Sequence, residues 1–188
     1  AEDMKDYPDL ELRTLDMDNV ERDVDIIMDI FNDAWSDNWG YVPMTEAEIE
    51  QLADEFKLIV DPELCLIAEH EGEPVGMCVA LPNINEAFEG QEGRLFPFGW
   101  AKALWKLKVQ NPSTFRLILL GLREEARGTS LGGLSVLMYS TIDQNAYEAG
   151  YEQAEASWTL ADKDDINRGM EFMGAEQYKT YRIYQKEL

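Results

Sequence analysis

Between an apolar run, Phe115–Leu122, and a helical period that begins at Leu134 stands Arg127-Gly128-Thr129-Ser130-Leu131-Gly132-Gly133. A short glycine-containing loop that turns a strand into a helix presents backbone N–H groups at the positive end of the helix dipole. That is a place for an anion, phosphate above all. Gly128, Gly132 and Gly133 allow close approach of the backbone, and Thr129 and Ser130 add hydroxyl donors. Alone, such a loop is common turn chemistry, and its weight depends on what surrounds it. A second constellation is aromatic. Trp35, Trp39, Tyr41, Phe96, Phe98 and Trp100, with Asp37 nearby, would suit a partly apolar cation through the ring faces. The same rings could serve only to pin two loops to a sheet, and both readings stay open; Trp35, Trp39, Tyr41 and Phe98 are the substrate-binding candidates. His70, the one histidine, falls at an expected hairpin tip, where an exposed side chain with no role is expected. The sequence offers no Ser-His-Asp or Cys-His set and no His/Cys/Asp cluster, so no metal is expected.

Composition narrows the partners. The chain has 188 residues, 45% of them hydrophobic, enough for one globular domain with a substantial core. Lys and Arg number 16 against 38 Asp and Glu, a net charge of −22 that repels polyanions, so nucleic acid is not expected as a partner. Solubility or a salty milieu accounts for the acidity as readily as a cationic substrate does. Cys65 and Cys78 lie in apolar runs without CxxC spacing, which reads as reduced core cysteines and a cytoplasmic location. The first residues lack a basic and then apolar leader, and no uninterrupted apolar run could span a bilayer, so neither a signal peptide nor a membrane partner is expected. A leader already cleaved would leave no trace.

Periodicity supplies the elements that must position these residues. Leu10–Leu15 alternates as a strand, and Asp18 or Asn19 caps a helix that carries Val20, Val24, Ile27, Ile30 and Phe31 on one face and fades near Ala34. Thr45 and Glu48 form a capping box that opens a second helix. Leu64–Glu69 and Pro74–Leu81 make a hairpin around Glu71-Gly72. Residues 82–112 form a lid or substrate-side insertion with a short helix over Trp100–Lys108. Phe115–Leu122 reads as a central strand buried on both faces, followed by a helix over Leu134–Ala149 that Gly150 ends. Ala154–Trp158 is the next strand, Asp164–Met173 a short helix, and Tyr178–Tyr184 a terminal strand. The fold class is α/β (α+β): a mixed central sheet flanked by helices.

This order, with the loop joining the inner strand to the central helix, resembles the GNAT superfamily of acyl-CoA N-acyltransferases. In that superfamily an Arg/Gln-x-x-Gly-x-Gly/Ala loop grips the coenzyme A pyrophosphate. Arg127, Gly128 and Gly132 fall on its first, second and last places, and Ser130 stands where the middle glycine would be. A positive φ there would cost the serine on the order of 1 kcal/mol. Asn38–Pro43, Gly93–Trp100 and Tyr178–Tyr184 extend the likeness to a bacterial GNAT-like branch, so that residues 1–188 resemble a single domain of this kind.

The resemblance implies acetyl-CoA, or another acyl-CoA, bound by Leu120, Leu122, Arg127, Gly128, Thr129, Ser130, Leu131, Gly132 and Gly133, with the pantetheine added beside Leu119–Leu122 like another strand. It implies acetyl transfer to an amine of a small-molecule or amino-acid-like acceptor, and it admits a homodimer. Such transfer needs a base for the amine, a donor for the oxyanion and an acid for the thiolate. The superfamily's usual tyrosine and asparagine places hold Met170 and Lys163. The base is therefore sought at Glu124, Glu125 and Glu155, near the ends of the inner strands, and the acid at Tyr139 or Tyr181. Lys102, Lys106 and Lys108 either steer a 3′-phosphate or form a solvated face. The alternative to an enzyme is a GNAT-like binding or scaffold protein that has lost catalysis, as Ser130, Lys163 and Met170 would suit. A hydrolase or peptidyl-type transferase on a related double-domain fold would need a nucleophile set and a length that this sequence does not offer.

Overall fold

A computed structural model describes residues 9–36, 38, 40–90, 96–110, 112–127, 131 and 133–186. Contacts divide the chain into two compact units, Ala1–Ser157 and Trp158–Leu188.

The first unit is built on a 5-stranded sheet ordered β1-β2-β3-β4-β5, with β1 Leu10–Thr14, β2 Cys65–His70, β3 Glu73–Pro82, β4 Thr114–Leu122 and β5 Gln153–Ala156. Neighbours from β1 to β4 run antiparallel, whereas β4 and β5 run parallel. A parallel pair needs a crossover, and the helix α5, Leu134–Ala149, supplies it. Gly150 at φ 91° ends that helix in the left-handed conformation for which the sequence placed a glycine there. Both turn residues of the β2–β3 hairpin have positive φ, Glu71 at 54° and Gly72 at 83°, as a two-residue turn matched to strand twist requires.

Among the described residues two α-helices precede β2. In α1, Val20–Trp35, Asn19 takes the cap position without a side-chain cap bond, and Val20, Val24, Ile27, Met28 and Ile30 are buried. They join Ile67, Met77 and Val79 of the sheet in the main core. In α2, Glu46–Ile59, the capping box is complete: the Thr45 hydroxyl accepts from Glu48 N–H while the Glu48 carboxylate accepts from Thr45 N–H at 2.7 Å. Asp23 of α1 is fully buried, yet it accepts from Arg13 at 2.7 and 3.0 Å, from Arg22, and from Asp16 N–H. A buried carboxylate persists only when paired in this way.

The connection after β3 holds α3, Ile84–Phe88, and α4, Gly99–Trp105, which continues as a π-helical turn through Gln110. The first of these short helices is not expected from sequence. Ala87, Ala103 and Leu107 bury against Ile59 as a small satellite core.

Two expectations need correction. Phe115, Leu117 and Gly121 of β4 are buried, but Ile118, Leu119 and Leu120 are only partly so. The strand is therefore not buried on both faces along its length, and Thr114 and Arg116, which pair with β5, are half-buried as well. In the second unit α6, Asp164–Phe172, forms, and Gly174 follows it at φ 86°. Residues 175–186 carry neither helix nor strand, and Tyr178, Tyr181, Ile183 and Tyr184 are exposed. The expected terminal strand is absent there, since β propensity makes a strand only where a neighbouring edge accepts its N–H and C=O groups.

Candidate active site

The site is organised by the parting of β4 from β5. Their pairing runs from Thr114↔Gln153 to Leu117↔Ala156, and Ser157 N–H closes it by donating to the Leu117 carbonyl at 2.9 Å. Beyond that bond β4 continues to Leu122 paired with β3 alone among the described residues. On its other side β4 shifts register at the same level: Val79 faces Leu119 and Ala80 faces Leu117, so Ile118 is an extra residue. A bulge turns the backbone and re-aims its polar groups. The edge so left without a strand partner among the described residues can accept an extended amide-bearing molecule as another strand.

Past the far end of β4 comes the segment that the sequence marks as a candidate phosphate site. Gly128, Thr129, Ser130 and Gly132 lie outside the described residues, while Arg127, Leu131 and Gly133 lie within them. Arg127 Nε donates to the Leu122 carbonyl at 2.9 Å, and its guanidinium reaches the Asp33 carboxylate at 3.5 Å. This ties the arginine to the end of the strand and to the last turn of α1. Leu131 is buried and its carbonyl accepts from Leu134 N–H at 2.9 Å; Gly133 is the N-cap of α5, its carbonyl accepting from Leu137 N–H at 3.0 Å. A strand thus delivers the chain through an arginine to a helix start, the geometry that favours anions. Leu120 and Leu122 are half-buried on β4, and Leu122 packs so closely on Gly76 that a Cβ there would stand 2.7 Å from Leu122 Cδ2.

Trp35, in the last turn of α1, crosses onto this strand. A Cβ on Gly121 would lie 2.7 Å from Trp35 Cζ3, so the bare glycine is what admits the ring. Phe31 stacks on Trp35 with centroids 4.8 Å apart and tilts against Tyr41 at 6.0 Å, and the Tyr41 hydroxyl donates to Asn32 at 2.6 Å. Trp35 and Tyr41 are therefore brought together around Phe31. Trp39 lies outside the described residues, and Phe98 is 78% exposed on the segment leading into α4.

The catalytic candidates are dispersed. Glu155 is half-buried on β5 and takes both Arg116 Nε, at 3.1 Å, and Arg116 Nη2, at 2.5 Å, so its carboxylate is already occupied. Glu124 and Glu125 line a cleft of about 450 Å³ with Asp33 and Arg123 at the end of β4, where Glu124 N–H donates to Asp33 at 2.8 Å. Tyr139 is half-buried on α5. Burial holds its phenol above the ordinary range, and the nearby Cys78 thiol, on the strand beside β4, acts in the same direction. Tyr181 belongs to the second unit and is exposed. Lys163 is the N-cap of α6 and Met170 lies within that helix. His70, expected to be exposed, is half-buried at the end of β2 and lines a smaller cleft with Glu71, Glu73 and Glu125. Among the described residues no group of three or more His, Cys, Asp or Glu is placed to hold a metal ion.

Sequence reasoning missed Asp33, which meets both Arg127 and the Glu124 amide. One acid among 38 carries no local mark. Gly121 was legible in principle, as a lone glycine in a run of bulky apolar residues.

No family model matches the chain. It is 42% identical over 178 residues to a protein of Caulobacter vibrioides named bacterial ceramide synthase, and 37% identical over 178 residues to the protein YghO of Escherichia coli. Each alignment covers 94% of this chain and 46% of the relative, so the chain spans about half the length of the curated relatives it matches. Among solved structures, an aminoglycoside N-acetyltransferase bound to a coenzyme A bisubstrate analogue matches 95% of this chain and 99% of its own, at TM-score 0.58 and 11% identity. An aminoglycoside acetyltransferase from a soil metagenome, solved with sisomicin, matches 98% and 99% at TM-score 0.59 and 12% identity. At such identities the likeness is one of fold.

Proposed function

We propose that this chain, which has the fold of the GNAT acyltransferases, transfers an acyl group from a coenzyme A thioester to the amine of a long-chain amino alcohol. The observation that carries the reading is the parting of β4 and β5 after Leu117, beside the Ile118 bulge. A strand edge without a partner among the described residues, leading to an arginine and a helix start, fits a ligand with amides at one end and a diphosphate at the other. Structures of the same fold that hold coenzyme A or its analogues support that ligand. The name of the Caulobacter relative supports the acceptor: a ceramide is the N-acyl derivative of a long-chain amino alcohol. It favours a long acyl chain and a lipid amine over the acetyl group and small amine suggested by resemblance alone.

Coenzyme A supplies the acyl carbon as a thioester, whose carbonyl becomes an oxyanion when the amine nitrogen attacks and whose sulfur leaves as a thiolate. Backbone groups of Ile118–Leu122 orient the thioester arm. Arg127, already anchored by the Leu122 carbonyl, exchanges Asp33 for the diphosphate. Tyr139 stays protonated until it donates to the departing sulfur, and the surplus proton that the nitrogen sheds on becoming an amide returns to its phenol. Glu124 takes the ammonium proton before attack, while Glu155 is held by Arg116 and orients that strand.

The first test is thermal unfolding with long-chain acyl-CoA, acetyl-CoA and no ligand. At a hundred times Kd the preferred thioester should add about 2.7 kcal/mol of stability. The second is thiol release with a C18 amino alcohol or with small amines. A thermal shift without turnover on any amine would favour the binding-protein reading; no shift with any thioester would remove the coenzyme site altogether.

A further inference from the structure

The connection after β3 presents an apolar, cationic face. From Phe96 to Gln110 the chain contains Lys102, Lys106 and Lys108 and no acidic residue, although its net charge is −22. Along the same stretch Phe96, Phe98, Trp100, Leu104, Trp105 and Val109 are exposed, Phe96 at 86% and Trp105 at 52%. Ala103 and Leu107 are buried, in the satellite core. The outer face therefore combines tryptophan and phenylalanine with Lys102, and Lys106 and Lys108 flank it; these are the side chains that settle at a bilayer interface with rings among the headgroups and ammonium groups in water. Lys106 donates to the Glu86 and Glu89 carbonyls and Lys108 to the Val60 carbonyl. Those bonds fix the helical turn while leaving its positive charge at the surface.

We infer that residues 96–110 dock the protein on an anionic lipid bilayer. Charge complementarity selects this occupant. A second copy would bring one cationic face against another and one chain of charge −22 against its like, whereas an anionic leaflet attracts the lysines of this acid-free segment. No helix among the described residues is long and apolar enough to cross a membrane. Lying on a surface is a different physical case, and it departs from the expectation of no membrane partner. The inference deepens the proposed function, on whose reading the acceptor is a membrane lipid.

The experiment is co-sedimentation of the chain, without coenzyme or amine, with vesicles of phosphatidylcholine alone or mixed equally with phosphatidylglycerol. Binding to the mixed vesicles, a blue shift of tryptophan emission and weakening by about tenfold between 50 and 300 mM salt are expected. The triple variant Trp100→Ser, Leu104→Ser, Trp105→Ser should lose binding at least tenfold with its unfolding transition retained. Lys102→Glu, on the exposed side of α4, provides a second variant and should reduce binding to anionic vesicles only. Absence of binding to the mixed vesicles would overturn the inference. So would equal binding by the triple variant, or a concentration-dependent dimer that the triple variant abolishes. Coenzyme-dependent melting fails or succeeds independently of this readout, so loss of one reading is distinguishable from loss of the other.

Discussion

Trp35 rests on Gly121: a Cβ added to that glycine would lie 2.7 Å from the indole Cζ3, and the side chains of Met77 and Ala34 close the same spot at 3.1 and 3.2 Å. One helix end is thereby seated on the strand beside the opening between β4 and β5. Gly121→Ala should displace the indole and cost about 1–3 kcal/mol, read as a lower denaturation midpoint. The variant should also bind acyl-CoA more weakly. Unchanged stability would mean that the ring yields without consequence.

Arg127 and Asp33 make opposite predictions. Asp33 holds the guanidinium that the diphosphate would claim. Arg127→Ala should weaken acyl-CoA binding about tenfold, near 1.4 kcal/mol, whereas Asp33→Asn should leave it unchanged or strengthen it. Calorimetric titration of both variants decides the matter, and parallel losses would indicate a structural pair only.

Tyr139→Phe removes a phenol and leaves its ring in place. With Tyr139 as the acid, kcat should fall about a hundredfold with KM little changed. Because burial raises the phenol above its ordinary 10.0, the acid form persists past that pH, and no alkaline fall in rate below pH 10 should trace to Tyr139. Full activity in the variant would assign the thiolate proton to another donor.

Asp23 makes stability depend on acid. Burial pushes its carboxyl upward, but bonds from Arg13, Asp16 N–H and Arg22 outweigh that, leaving it below its ordinary 3.8. A lowered carboxyl pKa contributes stability that is complete above about 3.8 and is lost as pH falls toward the folded value. Asp23→Asn should cost about 3 kcal/mol at neutral pH and flatten the acid limb of the stability curve. An unaltered acid limb in the variant would place the pH dependence in other carboxylates.

Much of this architecture is legible without coordinates. Helix α5 occupies the expected Leu134–Ala149, because its apolar period and Gly150 are local signals. The capping box at Thr45 and the Glu71-Gly72 turn are likewise written into a few adjacent residues. Tyr178–Tyr184 shows the opposite: its residue types suit a strand, but pairing is a property of two segments, and no local pattern supplies the second.

The sequence by itself determined the element order from β1 to α6 apart from the short α3, the run of arginine and glycines before a helix, and the excess of carboxylate, since each depends on residue type and near spacing. Only the tertiary structure decided that β5 leaves β4 at Leu117, that Asp33 meets Arg127, and that Trp35 needs a glycine 86 positions away. Those are contacts between distant parts of the chain, and they come from how the packed elements fit together rather than from any one segment's preference.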